Sequence, residues 1–319
     1  MFRTLLSLSL ALAPASPAYS QQAANPPERP EPTFADFTYA SESVRQKFDL
    51  WQAKSEKPAP LVLLIHGGGW KNGDKSSYGA DAIQPYLDAG VSVAALNYRF
   101  IDQAMQQKVE PPVMACLYDA ARALQCIRSH ARDWNIDPKR IGATGSSAGA
   151  CTSVWLALHD DLANSESNDP IARESTRLTC AAVQGAQTSL DPKELRDWMP
   201  NAIYGGHAFG FAANGRSRAE EFDLLVANRG KVLRWIEEYS PIELASQDDP
   251  PIYLDYPNQK TPPVPGKEEP DPTHSAIYGI MLAERFRPMG VEVVVSYPGH
   301  QDKRYGSLSN FLIMKLSTK

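Results

Sequence analysis

The 319-residue chain has no surplus of positive charge: 32 Lys and Arg stand against 37 Asp and Glu, a net charge of -5. A nucleic-acid-binding surface needs clustered cations to neutralise phosphates, so no nucleic-acid partner is expected. Cysteine is scarce, at four residues, and none sits in a C-x-x-C pair. No H-x-H or H-E-x-x-H pattern marks a metal site, and no G-x-G-x-x-G follows a strand-like run to mark a dinucleotide site. Neither a metal nor an organic cofactor is therefore expected. No stretch approaches the roughly 18 uninterrupted apolar residues that cross a bilayer, so membrane insertion is not expected either. What remains, at 43% hydrophobic and 22% charged, has the composition of an ordinary globular protein.

The N-terminus has a positive start at Arg3, an apolar run from Thr4 to Ala13, and small residues at Ala18 and Ser20. This is the pattern of a signal peptide over residues 1–20, and it implies a secreted or periplasmic protein. Residues 21–35 are proline-rich and read as a flexible leader. Cys116 and Cys126 fall on one predicted helix, about 15 Å apart at 1.5 Å per residue, too far to bridge. Buried free thiols are the reading for all four cysteines.

Residues 36–319 alternate strand and helix. The continuous apolar run Leu61–Ile65 reads as a buried parallel strand, Val91–Leu96 as a second buried strand, and Arg140–Thr144, Cys180–Gly185, Pro251–Tyr256 and Val291–Tyr297 as four more strands. Helical spacing predicts helices at Ser77–Ala89, Pro111–Asp133, Ala148–His159, Ser275–Arg287 and Arg304–Leu316. Residues 37–50 are expected to add antiparallel strands. Residues 191–246 break the rhythm and suggest a small helical insertion above the carboxyl edge of the sheet. The class is α/β, one domain, with a mostly parallel sheet covered on both faces.

Two motifs carry chemistry. Gly145-Ser146-Ser147-Ala148-Gly149 lies between a predicted strand and a predicted helix. There the chain must reverse sharply, so small neighbours are required, and the turn lifts the Ser147 hydroxyl above the sheet as a nucleophile at a helix N-terminus. His66-Gly67-Gly68-Gly69-Trp70 directly follows the first buried strand. Glycines let backbone N–H groups approach a reacting carbonyl, so Gly68 and Gly69, with Ala148, are the expected oxyanion donors. Tyr98, Trp198, Tyr204, Phe209 and Trp235 could line a pocket, but ordinary packing is the stronger reading.

Together these motifs resemble the α/β-hydrolase superfamily, and within it the esterase/lipase group near feruloyl- and acetylxylan-esterase-like and hormone-sensitive-lipase-like enzymes. Gln46–Leu50, Asn97-Tyr98-Arg99 and Asp137–Ile141 add to the likeness, which runs from Tyr39 to the C-terminus. The resemblance implies an α/β-hydrolase fold and a triad in the order serine, acid, histidine. Of the six histidines, His300 in Tyr297-Pro298-Gly299-His300 sits where the family keeps its base. His274 reads as the opening of a helix. The acid departs from the pattern: the usual position falls near Asn258–Lys260, where nothing is acidic. Asp271 is the first choice, Asp255 the alternative, and Glu268 and Glu269 follow. A helix cap competes as the role of Asp271. The implied activity is hydrolysis of carboxylic esters through an acyl-enzyme, with a small-molecule or polysaccharide-linked ester as substrate and short acyl groups favoured. A peptidase of the same fold and a non-catalytic binding protein on a hydrolase scaffold remain as alternatives.

Overall fold

A computed structural model describes residues 28–213 and 215–317. The expected signal segment, and the leader as far as residue 27, lie outside the described residues. The strands are β1 Phe34–Thr38, β2 Lys47–Trp51, β3 Ala59–Ile65, β4 Ser92–Leu96, β5 Ile136–Gly145, β6 Cys180–Gln184, β7 Ile252–Asp255 and β8 Val293–Ser296. The helices are α1 Ala80–Asp88, α2 Ile101–Gln106, α3 Pro112–Ser129, α4 Ala148–Leu158, α5 Pro192–Trp198, α6 Arg218–Asn228, α7 Leu233–Tyr239, α8 Ile277–Phe286 and α9 Leu308–Ser317.

One eight-stranded sheet runs in the order β1-β2-β4-β3-β5-β6-β7-β8. The β1–β2 and β2–β4 pairs are antiparallel, and from β4 to β8 every pair is parallel. β3 and β4 are buried along their whole length. Such strands are covered on both faces, which is why they read as unbroken apolar runs. One face packs with α3 and α4, where Leu63, Leu117, Leu124 and Trp155 share a cluster. The other packs with α1 and α9, through Val62, Ile83, Phe311 and Leu312. All eleven residues of α4 are buried, as expected of a helix that is apolar all round.

Several boundaries differ from the sequence reading. The first helix begins at Ala80, behind a single 3-10 turn at Lys75–Ser77 capped by Asp74. The last begins at Leu308 rather than Arg304, because the Asp302 carboxylate accepts the Tyr305 and Gly306 N–H groups and holds a turn, with Gly306 at φ +72°. The leader ends earlier than residue 35: Arg29 pairs with Asp49, and the Trp51 indole donates to the Pro30 carbonyl, so residues 29–35 are fastened to the domain. Residues 191–246 hold α5, α6 and α7, joined by 3-10 turns, between β6 and β7. The four cysteines are free and buried. Among the described residues, no helix is long and apolar enough to cross a membrane.

Candidate active site

The sharp turn between β5 and α4 carries Ser147 at φ +52°, ψ -121°, a strained conformation for a residue with a side chain. Two close approaches enforce it. A Cβ on Gly145 would come within 2.3 Å of the Ile65 carbonyl oxygen, and one on Gly149 within 2.0 Å of the same atom. Only glycine fits at either place. The Ser147 N–H donates to the Gln184 carbonyl at 2.9 Å, which ties the turn to β6. Ala148 is the first residue of α4, so its N–H belongs to the helix end that has no intrahelical acceptor.

The glycine loop after β3 runs alongside. Gly68, Gly69 and Trp70 have φ of +101°, +61° and +54°. Lys71 and Asn72 donate to the Gly68 carbonyl at 3.0 and 3.2 Å, curling the loop. The Trp70 indole donates to Thr152 Oγ1 on α4 at 3.0 Å, and the Tyr98 hydroxyl donates to the His66 carbonyl at 2.8 Å. The loop is packed rather than free. A Cβ on Gly67 would lie 2.7 Å from the Ser146 carbonyl oxygen, so loop and turn are in contact. His66 itself is buried, and burial pushes its pKa down to about 4. Its Nδ1 lies 2.8 Å from the Gly67 carbonyl, which suits a neutral loop-bracing ring.

The imidazole that meets the serine is not the one the sequence favoured. His274 Nε2 lies 3.0 Å from Ser147 Oγ, and His274 Nδ1 lies 2.9 Å from Asp271 Oδ2. His300 is exposed in the turn after β8, its ring stacked on Tyr297 at 5.1 Å. The physical reason is the proline-rich stretch after β7. It carries the chain out and back, so that residues 271–276 return over the carboxyl edge of β6. There Gly185, at φ +62°, faces the ring: a Cβ would stand 3.4 Å from His274 Cδ2, in van der Waals contact.

The other Asp271 oxygen accepts the N–H groups of Thr273 and His274 at 3.2 and 3.3 Å, the cap that its composition suggested. One carboxylate thus shapes the turn and meets the ring. The segment is braced from below: Gln187 Nε2 donates to the Thr273 carbonyl at 2.7 Å, and the Ala276 N–H donates to Gln259 Oε1 at 2.9 Å. The pair stays open to solvent, with side-chain exposures of 33% for His274 and 47% for Asp271.

The other acids lie elsewhere. Asp255 ends β7, where burial raises its pKa and bonds to Ser296 and Gln184 pull it back. Glu269 is buried against Gln259 Nε2 at 2.8 Å, and Glu268 is exposed. Tyr98, Trp198, Tyr204 and Phe209 are core residues, and Trp235 packs at the core's margin. The signal that could have found His274 was present: an Asp-x-x-His spacing directly before a helix, in which one aspartate caps the turn and faces the ring.

Two cavities meet at Ser146 and Gln184. A small one of about 130 Å³ is lined by Ser147, Gly185, Tyr256, Pro257, Asn258 and His274. A larger cleft of about 650 Å³ carries Tyr78, Asp81, Tyr86, Asp255, Gln301 and Ser309.

Residues 48–265 match the family model BD-FAE. Gut esterase 1 of Caenorhabditis elegans is 32% identical over 108 residues, 33% of this chain and 19% of that protein. Esterase LipI of Mycobacterium tuberculosis is 31% identical over 99 residues, 31% of this chain and 29% of that protein. The chain therefore spans under a third of the length of each. In three dimensions it is similar to the acetyl ester-xyloside bifunctional hydrolase of Caldicellulosiruptor lactoaceticus, with a TM-score of 0.56 at 22% identity over 79% of this chain and 76% of that one. The architecture is the α/β-hydrolase fold.

Proposed function

The chain belongs to the BD-FAE family, and from that premise we propose that it is an exported serine hydrolase of carboxylic esters, acting through an acyl-enzyme on short acyl groups carried by a carbohydrate. The observation that carries this reading is the unbroken line from Asp271 through His274 to the Ser147 hydroxyl, with steps of 2.9 and 3.0 Å. A serine at its ordinary pKa is a poor nucleophile, and a neutral imidazole within hydrogen-bond reach removes that handicap.

In the proposed mechanism, His274 Nε2 takes the Ser147 proton as Oγ attacks the ester carbonyl. Asp271 holds the Nδ1–H and stabilises the imidazolium. The N–H groups of Gly68, Gly69 and Ala148 are the donors for the developing oxyanion, and each such donor lowers the barrier by about 3 kcal/mol. His274 then protonates the departing alcohol. It next draws a proton from water, which attacks the acyl-serine and releases the acid. The order Ser147, Asp271, His274 along the chain is the order this fold uses.

The small cavity beside Ser147, about 130 Å³, suits an acetyl or propionyl group better than a fatty chain. The adjoining cleft, rich in carboxylates, amides and tyrosines, suits a hydroxylated alcohol such as a sugar. The C. lactoaceticus neighbour is named as an acetyl ester and xyloside hydrolase, which agrees with that choice. The charged, apolar and small-residue succession over residues 1–20 supports export.

A fluorophosphonate probe tests the reading. Labelling of the wild type that disappears in Ser147→Ala, with hydrolysis of p-nitrophenyl acetate but not of a peptide p-nitroanilide, is the expected result. An unlabelled wild type would leave a binding protein on this scaffold, and amide turnover would make it a peptidase.

A further inference from the structure

Gly68 and Gly69 also help to wall a separate cavity of about 140 Å³, together with Lys71, His207, Arg216, Arg218 and Glu221. Nothing in the mechanism above uses it. His207 is only 4% exposed, yet its Nε2 has no hydrogen-bond partner among the described residues. A buried polar atom left bare costs stability and calls for an explanation. The ring is wedged between aromatics, 5.9 Å from Trp70 and 4.8 Å from Tyr204, so it cannot swing away to find water.

Positive charge predominates around it, with Lys71, Arg216 and Arg218 against the Glu221 carboxylate. Lys71 is 3.9 Å from Glu221, so that cation is paired. Arg218 lies over the Tyr204 ring at 6.0 Å, and Arg216 donates to the Phe211 carbonyl at 3.0 Å. Among the described residues neither arginine forms an ion pair with a carboxylate, and both line the cavity in a chain whose overall charge is -5. Burial, with the fields of Lys71 and Arg218, drives the His207 pKa down to about 3, so the ring is neutral. Its bond to the Gly69 backbone favours a ring N–H donating there. Because Nε2 has no partner among the described residues, that donor is Nδ1, and Nε2 keeps an unpaired lone pair on a ring that lines the cavity.

We propose that this cavity is a substrate subsite that reads a carboxylate with a neighbouring hydroxyl, the arginines taking the carboxylate and His207 Nε2 accepting the hydroxyl. The match is chemical. Guanidinium groups pair with carboxylates through charge-assisted bonds, and an unprotonated imidazole nitrogen can only accept. The subsite shares Gly68 and Gly69 with the expected oxyanion loop, so its occupant is part of the ester being cleaved. This rests on the esterase reading and narrows it to acidic substrates, with the carboxylate on either the acyl or the alcohol side.

Two matched pairs of esters separate the sides: acetylated methyl glucuronoside against acetylated methyl glucoside, and p-nitrophenyl hemisuccinate against p-nitrophenyl butyrate. In one pair kcat/KM for the acidic member should be higher by at least about tenfold at low salt. The preference should shrink as salt rises. Within each protein the ratio is independent of how much enzyme is active. It should fall towards one in Arg216→Gln/Arg218→Gln and invert in Arg218→Glu. Ratios at or below one in both pairs, or a preference that the variants leave intact, would overturn the subsite. If no ester is turned over and the fluorophosphonate does not label, the esterase reading fails separately. Titration of the wild type with methyl glucuronoside and with succinate then decides. Binding lost in the double variant keeps the subsite, and no binding of either ligand removes it.

Discussion

At the residue scale, Asp271 does two things with one carboxylate. Oδ1 accepts the Thr273 and His274 N–H groups, and Oδ2 meets the imidazole. Asp271→Asn keeps an oxygen for the cap but offers the ring the wrong hydrogen-bonding partner. Its kcat on p-nitrophenyl acetate should fall by about 10⁴-fold while the unfolding midpoint barely moves. His274→Ala should fall comparably. His300→Ala, a change in an exposed turn, should stay within about twofold of wild type, the scale of ordinary surface substitutions. Equal losses in His274→Ala and His300→Ala would contradict the geometry. The aspartate that the sequence favoured meets an imidazole next to Ser147, whereas the histidine it favoured does not reach that serine. His300 stood at the family's position for a base, whereas His274 looked like the start of a helix, which in fact begins at Ile277.

At the scale of elements, the site is a meeting of three turns: after β3, after β5 and before α8. The first two are locked by contact between backbones. Gly149→Ala would drive a Cβ to 2.0 Å from the Ile65 carbonyl oxygen. Because that atom belongs to a central strand, it has nowhere to go, and the variant should lose about 3 kcal/mol or more in urea unfolding along with its activity. The third turn is held by side chains instead. Gln187 is fully buried and donates from Nε2 to the Gly185 and Thr273 carbonyls. Gln187→Met should leave the fold in place but let the ring drift. We expect kcat to drop by about ten- to a hundredfold with little change in KM, since a small misplacement affects the reacting geometry more than binding. These elements differ in how plainly the sequence announces them. The glycines of the first two turns stand together in short motifs and could be read directly. The braces of the third come from residues far along the chain and could not.

At the scale of the whole molecule, buried titrating groups set the acid response. His66 and His207 are held neutral, with pKa values pushed down to about 4 and about 3 by burial. An unfolded histidine takes its proton near 6.5. Between roughly pH 6.5 and 4 the unfolded chain therefore binds more protons than the folded one at these two sites, and stability falls as the pH falls. Asp249 opposes them. Burial raises its pKa to about 6, so over much of that window the folded state holds a proton that an unfolded aspartate has released. Two histidines give a slope of about 2.7 kcal/mol per pH unit, and the aspartate cancels about half. Urea unfolding from pH 4.5 to 6 should be steeper in Asp249→Asn than in wild type by about 1.4 kcal/mol per pH unit. Parallel slopes would show that Asp249 is ionised in the fold.

The same scale separates what the sequence determined from what only the fold decided. The sequence determined the parallel sheet, the sharp turn at Ser147 and the glycine loop, because a strand buried on both faces leaves a short apolar run and each turn keeps its glycines within one short motif. The choice of imidazole was not written in that way. The turns after β7 and after β8 both open at the carboxyl edge of the sheet, and each carries a histidine. Which one reaches Ser147 depends on how far the proline-rich stretch carries the chain before it returns beside Gly185. It depends too on two distant glutamines that pin the turn. Those are distances between segments remote in sequence, and only the packed molecule sets them.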